Sequence, residues 1–384
     1  MRIAFYAPLK PPDHPTPSGD RRVARLLMSA LERAGHDVEV ASRLRTYDGK
    51  GDPARQAELR DRGRVEAARL IKRLGGLPRD RRPEVWFTYH LHYKAPDWLG
   101  PAVSRALGLA YVVAEASFAA KRAGGPWDLA HRAVGEAVAG ADAILCPSRH
   151  DMPGLRPLLP DPDRLTHLPP FLDPAPFAAA ARRRVSARRR AAAEFGLDPG
   201  RPWLLAVAMM RPGDKLESYR RLAAALGRVA DLDWQLLTVG DGDAAGEVRR
   251  ALAALGERRV VHAGRRDPDQ LPGIYAACDV YVWPAAGEAY GMAMLEAQAA
   301  GLPVVAAAVR GVPDVVEDGV GGLLAATEDP ADLAVTLRSL LTDQALRRRL
   351  GRGARDFVSG GRTLDAAARI LDETLARAGG NRPR

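Results

Sequence analysis

Short apolar runs alternate along the chain with longer stretches whose apolar residues recur every three or four positions. In the first half, Ile3–Ala7, Val38–Ala41, Val85–Tyr89, Tyr111–Ala114 and Ala143–Cys146 read as strands. Val23, Leu26, Leu27, Ala30 and Leu31 keep to one helical face, and Glu58–Leu74 and Leu129–Ala139 read as further helices. The second half has a more regular rhythm. Trp203–Ala208, Trp234–Val239, Val260–Ala263, Val280–Trp283, Val304–Ala307 and Gly322–Ala325 are strand candidates, with helical patterns in each gap. Leu216, Tyr219, Leu222, Leu226 and Val229 hold one face of the first of these. Continuous apolar strands alternating with helices predict parallel sheets covered on both sides.

A chain of 384 residues is long for one core and fits two domains. The segment Pro169–Pro176 has four prolines in eight residues, PPFLDPAP, and proline disfavours both regular elements. The expectation is an α/β protein of two Rossmann-like, doubly wound domains facing each other across a cleft. The domains are placed at 1–173 and 201–360, with 174–200 as a linker and a helix at about 361–380 returning to the first domain. Ligands of such sheets bind beyond the C-terminal strand ends.

The strongest chemical signal is WPAAGEAYGMAMLEAQAAGLP, residues 283–303. A strand ends at Trp283, a loop carries Glu288, and a helix from about Gly291 to Ala300 carries Glu296 before Gly301 and Pro303 stop it. Gly291 allows close backbone approach, and free N–H groups at the helix start attract anions. The unit therefore offers carboxylates for sugar hydroxyls and donors for a phosphate. MMRPGDKL, residues 209–216, follows another strand and supplies Arg211 and Lys215, fixed cations of the kind that stabilise a leaving diphosphate.

With seven residues between the two glutamates, and with the flanking AAGLPVVA, GVPD and DGVGGLL, the chain resembles the retaining family-4 glycosyltransferases of GT-B fold. The resemblance is close over about residues 203–345 and loose before them. It implies that Glu296 holds the nucleotide ribose, that Glu288 holds the transferred sugar, and that Arg211 and Lys215 hold the diphosphate. Ala289, Tyr290, Gly291 and Met292 are implied donor contacts. The spacing of the Arg–Lys pair departs from the family by about one residue, and Leu216 stands where a glycine is usual. Gly240 in TVGDGDAAGEV and Arg265 in HAGRR are candidates near the donor, and Gly19 in PSGDRR (17–22) resembles the glycine loop under the donor sugar. His90 and His92 in TYHLHYK are acceptor-side candidates, and so is Glu115, which replaces a histidine usual in relatives.

Charge adds a second question. The formal balance is +10, with thirteen Lys/Arg against six Asp/Glu over residues 43–82 and six Arg over 182–190. A solvated surface accounts for both runs; the sharper expectation is peripheral contact with an anionic inner-membrane surface. No motif accompanies the charge that would point to nucleic acid. MRIAFYAPLK reads as a buried strand rather than a signal peptide, no apolar run is long enough to cross a bilayer, and the lone Cys146 and Cys278 suit a reducing cytoplasm. Four Asp-x-Asp pairs occur, of which Asp241/Asp243 alone follows a strand; Arg211 and Lys215 favour a metal-free site with no cofactor beyond a UDP- or GDP-sugar donor. A UDP-sugar epimerase and a non-catalytic nucleotide-sugar-binding protein are the rival readings.

Overall fold

A computed structural model of the chain describes residues 1–16 and 18–380; Pro17, the first residue of PSGDRR, lies outside them. The chain divides into two compact units, Met1–Pro169 with the segment from Leu364 onward, and Pro170–Thr363. Each is built on a six-stranded sheet in which every neighbouring pair runs parallel.

In the first unit the strands are β1 (Arg2–Tyr6), β2 (Asp37–Ser42), β3 (Val85–Leu91), β4 (Ala110–Ala116), β5 (Ala143–Cys146) and β6 (Leu165–His167), in the order β2-β1-β3-β4-β5-β6. Val85, Trp86, Phe87, Val112 and Val113 are fully buried, as central strands covered on both faces require. The sequence pattern missed β6, whose three residues, Leu-Thr-His, are too few and too polar to show a period. The helix expected at Glu58–Leu74 spans Pro53–Gly75: Asp52 accepts hydrogen bonds from the N–H groups of Ala54 and Arg55, and Pro53 takes the first helical position. Helix Leu364–Gly380 packs against helix Gly19–Arg33, with Arg33 paired to Asp365.

In the second unit the strands are β7 (Trp203–Val207), β8 (Gln235–Val239), β9 (Val260–Gly264), β10 (Val280–Trp283), β11 (Val304–Ala307) and β12 (Gly322–Ala325), in the order β12-β11-β10-β7-β8-β9. The chain starts mid-sheet at β7, builds outward to β9, then returns to the other side of β7 with β10. Connections leave β7 and β10 on opposite faces, which opens a crevice beyond their C-terminal ends.

Residues 174–200, expected as a linker, instead fold into helices Ala175–Arg182 and Arg184–Phe195 of the second unit. Two arginines of the run are paired within the unit. Arg188 lies 3.9 Å over the Trp203 ring and pairs with Asp279 at 2.8 Å, and Arg184 pairs with the same carboxylate at 2.6 Å. Asp279 also accepts the Trp203 N–H. One acid at the foot of β10 thus holds two arginines of the run. Cys146 and Cys278 are buried and not joined in a disulfide, and no helix among the described residues is long and apolar enough to cross a membrane.

Candidate functional site

The second unit gathers its chemistry beyond β7 and β10. After β7 the chain runs on beside the β8 connection: Ala208 N–H donates to Val239 O and Met210 N–H to Asp241 O, each at 3.0 Å. Two glycines make that approach possible. A Cβ on Gly240 would lie 1.9 Å from Ala208 O and one on Gly242 2.4 Å from Met210 O. Backbone packing therefore explains the glycine at 240. Gly213 (φ 81°) then turns the chain into helix Asp214–Gly227, leaving Arg211 exposed just before it and Lys215 in its first turn. Leu216 is buried in the core. Tyr219 anchors the helix by donating to Ala208 O and meeting the Trp283 ring edge-on at 5.0 Å.

After β10 the chain makes a tight excursion, with φ of 62° at both Ala285 and Gly287, before Glu288. Glu288 is half-buried. Its Oε2 lies 2.5 Å from Lys215 Nζ and accepts from Trp283 Nε1 at 3.2 Å. Two residues 73 positions apart thus meet at the crevice, with an indole fixing the same oxygen. Gly291 (φ 79°) follows; a Cβ there would fall 2.2 Å from Met294 Cε and 3.2 Å from Glu288 Cγ. It opens helix Met292–Ala299, whose first turn has no side-chain cap, so its leading N–H groups are donors for an anion. Tyr290 is buried, Ala289 exposed and Met292 half-buried. Glu296 is buried within the helix, where its Oε2 accepts from the Tyr275 hydroxyl at 2.9 Å.

The remaining second-unit candidates lie at the surface. Arg265 is exposed just past β9. Asp241 bonds the N–H of Gly242, while Asp231 forms two 2.7 Å contacts with Arg338.

The first unit collects a different set beyond β1, β3 and β4. His90 (φ 63°) and Glu115 (φ 60°) sit at the ends of β3 and β4 in the left-handed region, which side-chain-bearing residues rarely adopt. His90 Nδ1 lies 3.2 Å from Asp20 in helix Gly19–Arg33, and its Nε2 lies 3.7 Å from Glu115. Burial pushes His90 down, but Glu115 and Asp20 outweigh it and raise the imidazole to about 9. The His92 ring, 4.8 Å from that of His90, is held down to about 3 by burial and then by the charge on His90. One imidazole is thus a cation and its neighbour neutral. Ser18 caps the helix by accepting the Arg21 N–H, and the Arg21 guanidinium donates to His14 O. Gly19 opens the helix with empty space where a Cβ would stand.

Sequence reasoning did not assign Tyr275 or the indole of Trp283. Trp283 directly precedes the motif and could have been read as a donor to it; Tyr275 has no local signal, because only the packing of helix Leu271–Ala277 brings it to Glu296.

Residues 201–343 match the family described as Glycosyl transferases group 1. A D-inositol 3-phosphate glycosyltransferase of Salinispora arenicola is 36% identical over 232 residues, 57% of this chain and 52% of that protein. The protein of the same description from Mycolicibacterium vanbaalenii is 34% identical over 275 residues, 67% of this chain and 58% of its own. The chain spans about half the length of the curated relatives it matches. Among solved structures, sucrose-phosphate synthase of Thermosynechococcus elongatus superposes with a TM-score of 0.71 at 22% identity, covering 97% of this chain and 98% of that one. Anabaena HepE, solved in complex with UDP-glucose, gives a TM-score of 0.72 at 17% identity over 98% of this chain and 99% of its own. The fold is that of GT-B glycosyltransferases, with two Rossmann-like domains.

Proposed function

Since residues 201–343 match the family of glycosyl transferases group 1, we propose that the protein moves a sugar from a nucleoside-diphosphate sugar to a hydroxyl-bearing acceptor, with retention and without a metal ion. The observation that carries this reading is the meeting of Lys215 and Glu288 at the β7/β10 crevice, with Arg211 in the loop that leads to Lys215. In the step, the bond from the anomeric carbon to the diphosphate breaks as the acceptor oxygen bonds the same carbon on the same face. The acceptor proton passes to the departing phosphate oxygen. Negative charge gathers on the diphosphate, where Arg211, Lys215 and the N–H groups opening helix Met292–Ala299 oppose it. Glu288 takes hydroxyls of the transferred sugar, and Glu296, steadied by Tyr275, takes the ribose. Until donor arrives, Lys215 and Glu288 neutralise each other. Arg265 lies on the base side, and the first unit's His90, His92 and Glu115 serve the acceptor. Helix Pro53–Gly75 is the proposed contact with anionic lipid at an inner membrane surface.

Thermal shift with UDP-glucose, GDP-mannose and ADP-glucose tests the donor assignment. Binding to the native state alone should stabilise it by about 2.7 kcal/mol at a hundredfold excess over Kd. One base class is expected to do this, equally well in EDTA. No shift with any of the three defeats the reading; a shift abolished by EDTA and restored by manganese defeats its metal-free part.

A further inference from the structure

The Glu288 turn is held from outside by a residue that no sequence motif marks. After β11 the chain passes through Arg310, exposed, with φ 45°. Its Nη1 donates to Gly287 O at 3.2 Å, and the N–H of the next residue, Gly311, donates to Ala289 O at 3.0 Å. The carbonyls on either side of Glu288 are therefore pinned by two consecutive residues of another loop. The turn also lies close against helix Asp214–Gly227: a Cβ on Gly287 would lie 2.3 Å from Asp214 Oδ2. Within the turn, Glu288 N–H bonds Ala285 O at 3.0 Å.

We propose that Arg310 is a positioning residue for the donor sugar, fixing through the Gly287 carbonyl where the Glu288 carboxylate stands and so how well the sugar is held. Its backbone conformation supports this. A left-handed arginine is strained, and glycine would occupy the position without cost. The bond it makes is solvent-exposed and adds little to folding. A strained residue making a weak exposed bond is a poor device for stability and a reasonable one for placing a neighbour. Arg310 is one of four non-glycine residues with positive φ among the described residues, with His90, Glu115 and Ala285, and all four lie at or just beyond C-terminal strand ends.

The inference rests on the donor reading above, so its test separates the two. Wild type, Arg310→Gly and Arg310→Lys are titrated by calorimetry with UDP and UDP-glucose (GDP and GDP-mannose if those are the pair wild type takes). Release of nucleoside diphosphate is followed alongside, and melting is recorded for each. Arg310→Gly should bind the free diphosphate like wild type, melt no lower, and lose about 10-fold to 100-fold in kcat/KM for the sugar-nucleotide. Arg310→Lys, which keeps a donor on a long side chain, should recover much of that loss. Three outcomes overturn the proposal: unchanged kcat/KM in Arg310→Gly, an equal loss of diphosphate and sugar-nucleotide affinity, or Arg310→Lys no better than Arg310→Gly. If wild type binds no sugar-nucleotide, the donor reading fails and takes the inference with it.

Discussion

The two units place charge at their strand ends in opposite ways. Beyond β7 and β10, Lys215 pairs with one half-buried carboxylate, Glu288, Arg211 lies in the same β7 loop, and positive φ falls on Gly213, Gly287 and Gly291 as well as on Ala285. Beyond β3 and β4, two carboxylates, Asp20 and Glu115, flank one cation, His90, and the backbone is bent by side-chain-bearing residues at φ 63° and 60°. The first arrangement leaves positive charge over and lets backbone N–H groups come forward; it suits a diphosphate. The second sets carboxylate oxygens around an imidazolium; it suits hydroxyl groups and a retained proton. The same sheet type supports both, because the fold supplies only the crevice and the loops supply the sign of the charge.

The largest effect that could break this contrast is expected at Arg211. Arg211→Ala removes a cation whose interaction is strongest when the diphosphate departs, and turnover should fall about 10²-fold to 10³-fold. Near-wild-type turnover would remove the phosphate role from the β7 loop. Its neighbours then sharpen the picture. Glu296→Ala should weaken UDP and UDP-glucose alike, whereas Glu288→Ala should spare UDP and affect the sugar-nucleotide. Because Lys215 and Glu288 are in contact, Lys215→Ala and Glu288→Ala should not add, with a coupling of about 0.5–3 kcal/mol in a double-mutant cycle. On the other side of the contrast, Glu115→Gln should leave UDP affinity untouched.

How much of this the sequence carried also differs between the units. The second unit was readable because its strands are unbroken apolar runs and its site lies in two short segments, 209–216 and 283–303, that each follow a strand. What it withheld was contact at a distance: Tyr275 on Glu296, the Arg310–Gly311 bracket around Glu288, and Arg184 and Arg188 on Asp279. The first unit yielded its strands except β6 and named His90, His92 and Glu115 one by one. Nothing in the residue order showed that Asp20, the second residue of the first helix, would reach His90, or that the two histidines would differ in charge. Such properties come from which strand ends are adjacent, and strand order is not written in any local pattern.

The charge on His90 gives a pH test of the first unit. Asp20 and Glu115 raise it to about 9 against an ordinary 6.5, overcoming burial. A histidine raised on folding contributes stability that is fully present below pH 6.5 and is lost as pH rises through about 9. His92, lowered to about 3, works in the other direction and only as pH falls through 6.5, at the low edge of the range tested. Lys10, Lys94 and Arg122 are the other charges acting on the pair. Denaturant unfolding of wild type should lose on the order of 3 kcal/mol more than His90→Gln between pH 6 and pH 9.5. Parallel profiles for the two would mean that His90 is neutral in the fold, and the opposed charge patterns of the two units would lose their first-unit half.

The smallest effect concerns the two basic runs, which the fold treats as differently as it treats the two sites. In the second unit, Arg184 and Arg188 are consumed by Asp279 and the Trp203 ring. In the first, helix Pro53–Gly75 turns Arg62, Arg64, Arg69 and Lys72 to solvent beside the exposed Val65, and the acids that pair with its arginines, Glu58, Asp61 and Glu66, belong to the helix itself. Pairs of this kind hold their charges weakly, so the cations remain available to an external anionic surface. Each lysine or arginine near such a surface contributes about 1 kcal/mol, and the attraction fades within a Debye length of about 8 Å at physiological salt. Wild type should therefore pellet with phosphatidylserine-containing vesicles at low salt, release at high salt, and ignore phosphatidylcholine vesicles. Replacing Arg62, Arg64 and Lys72 together by Gln should weaken pelleting by about 3 kcal/mol in all, with melting unchanged, because none of the three supports the core. Arg188→Gln should do the reverse, lowering the melting temperature and leaving pelleting intact. Equal pelleting on neutral and anionic vesicles would make helix Pro53–Gly75 an ordinary solvated face and leave Arg184 and Arg188, paired with Asp279, as the arginines with an assigned partner.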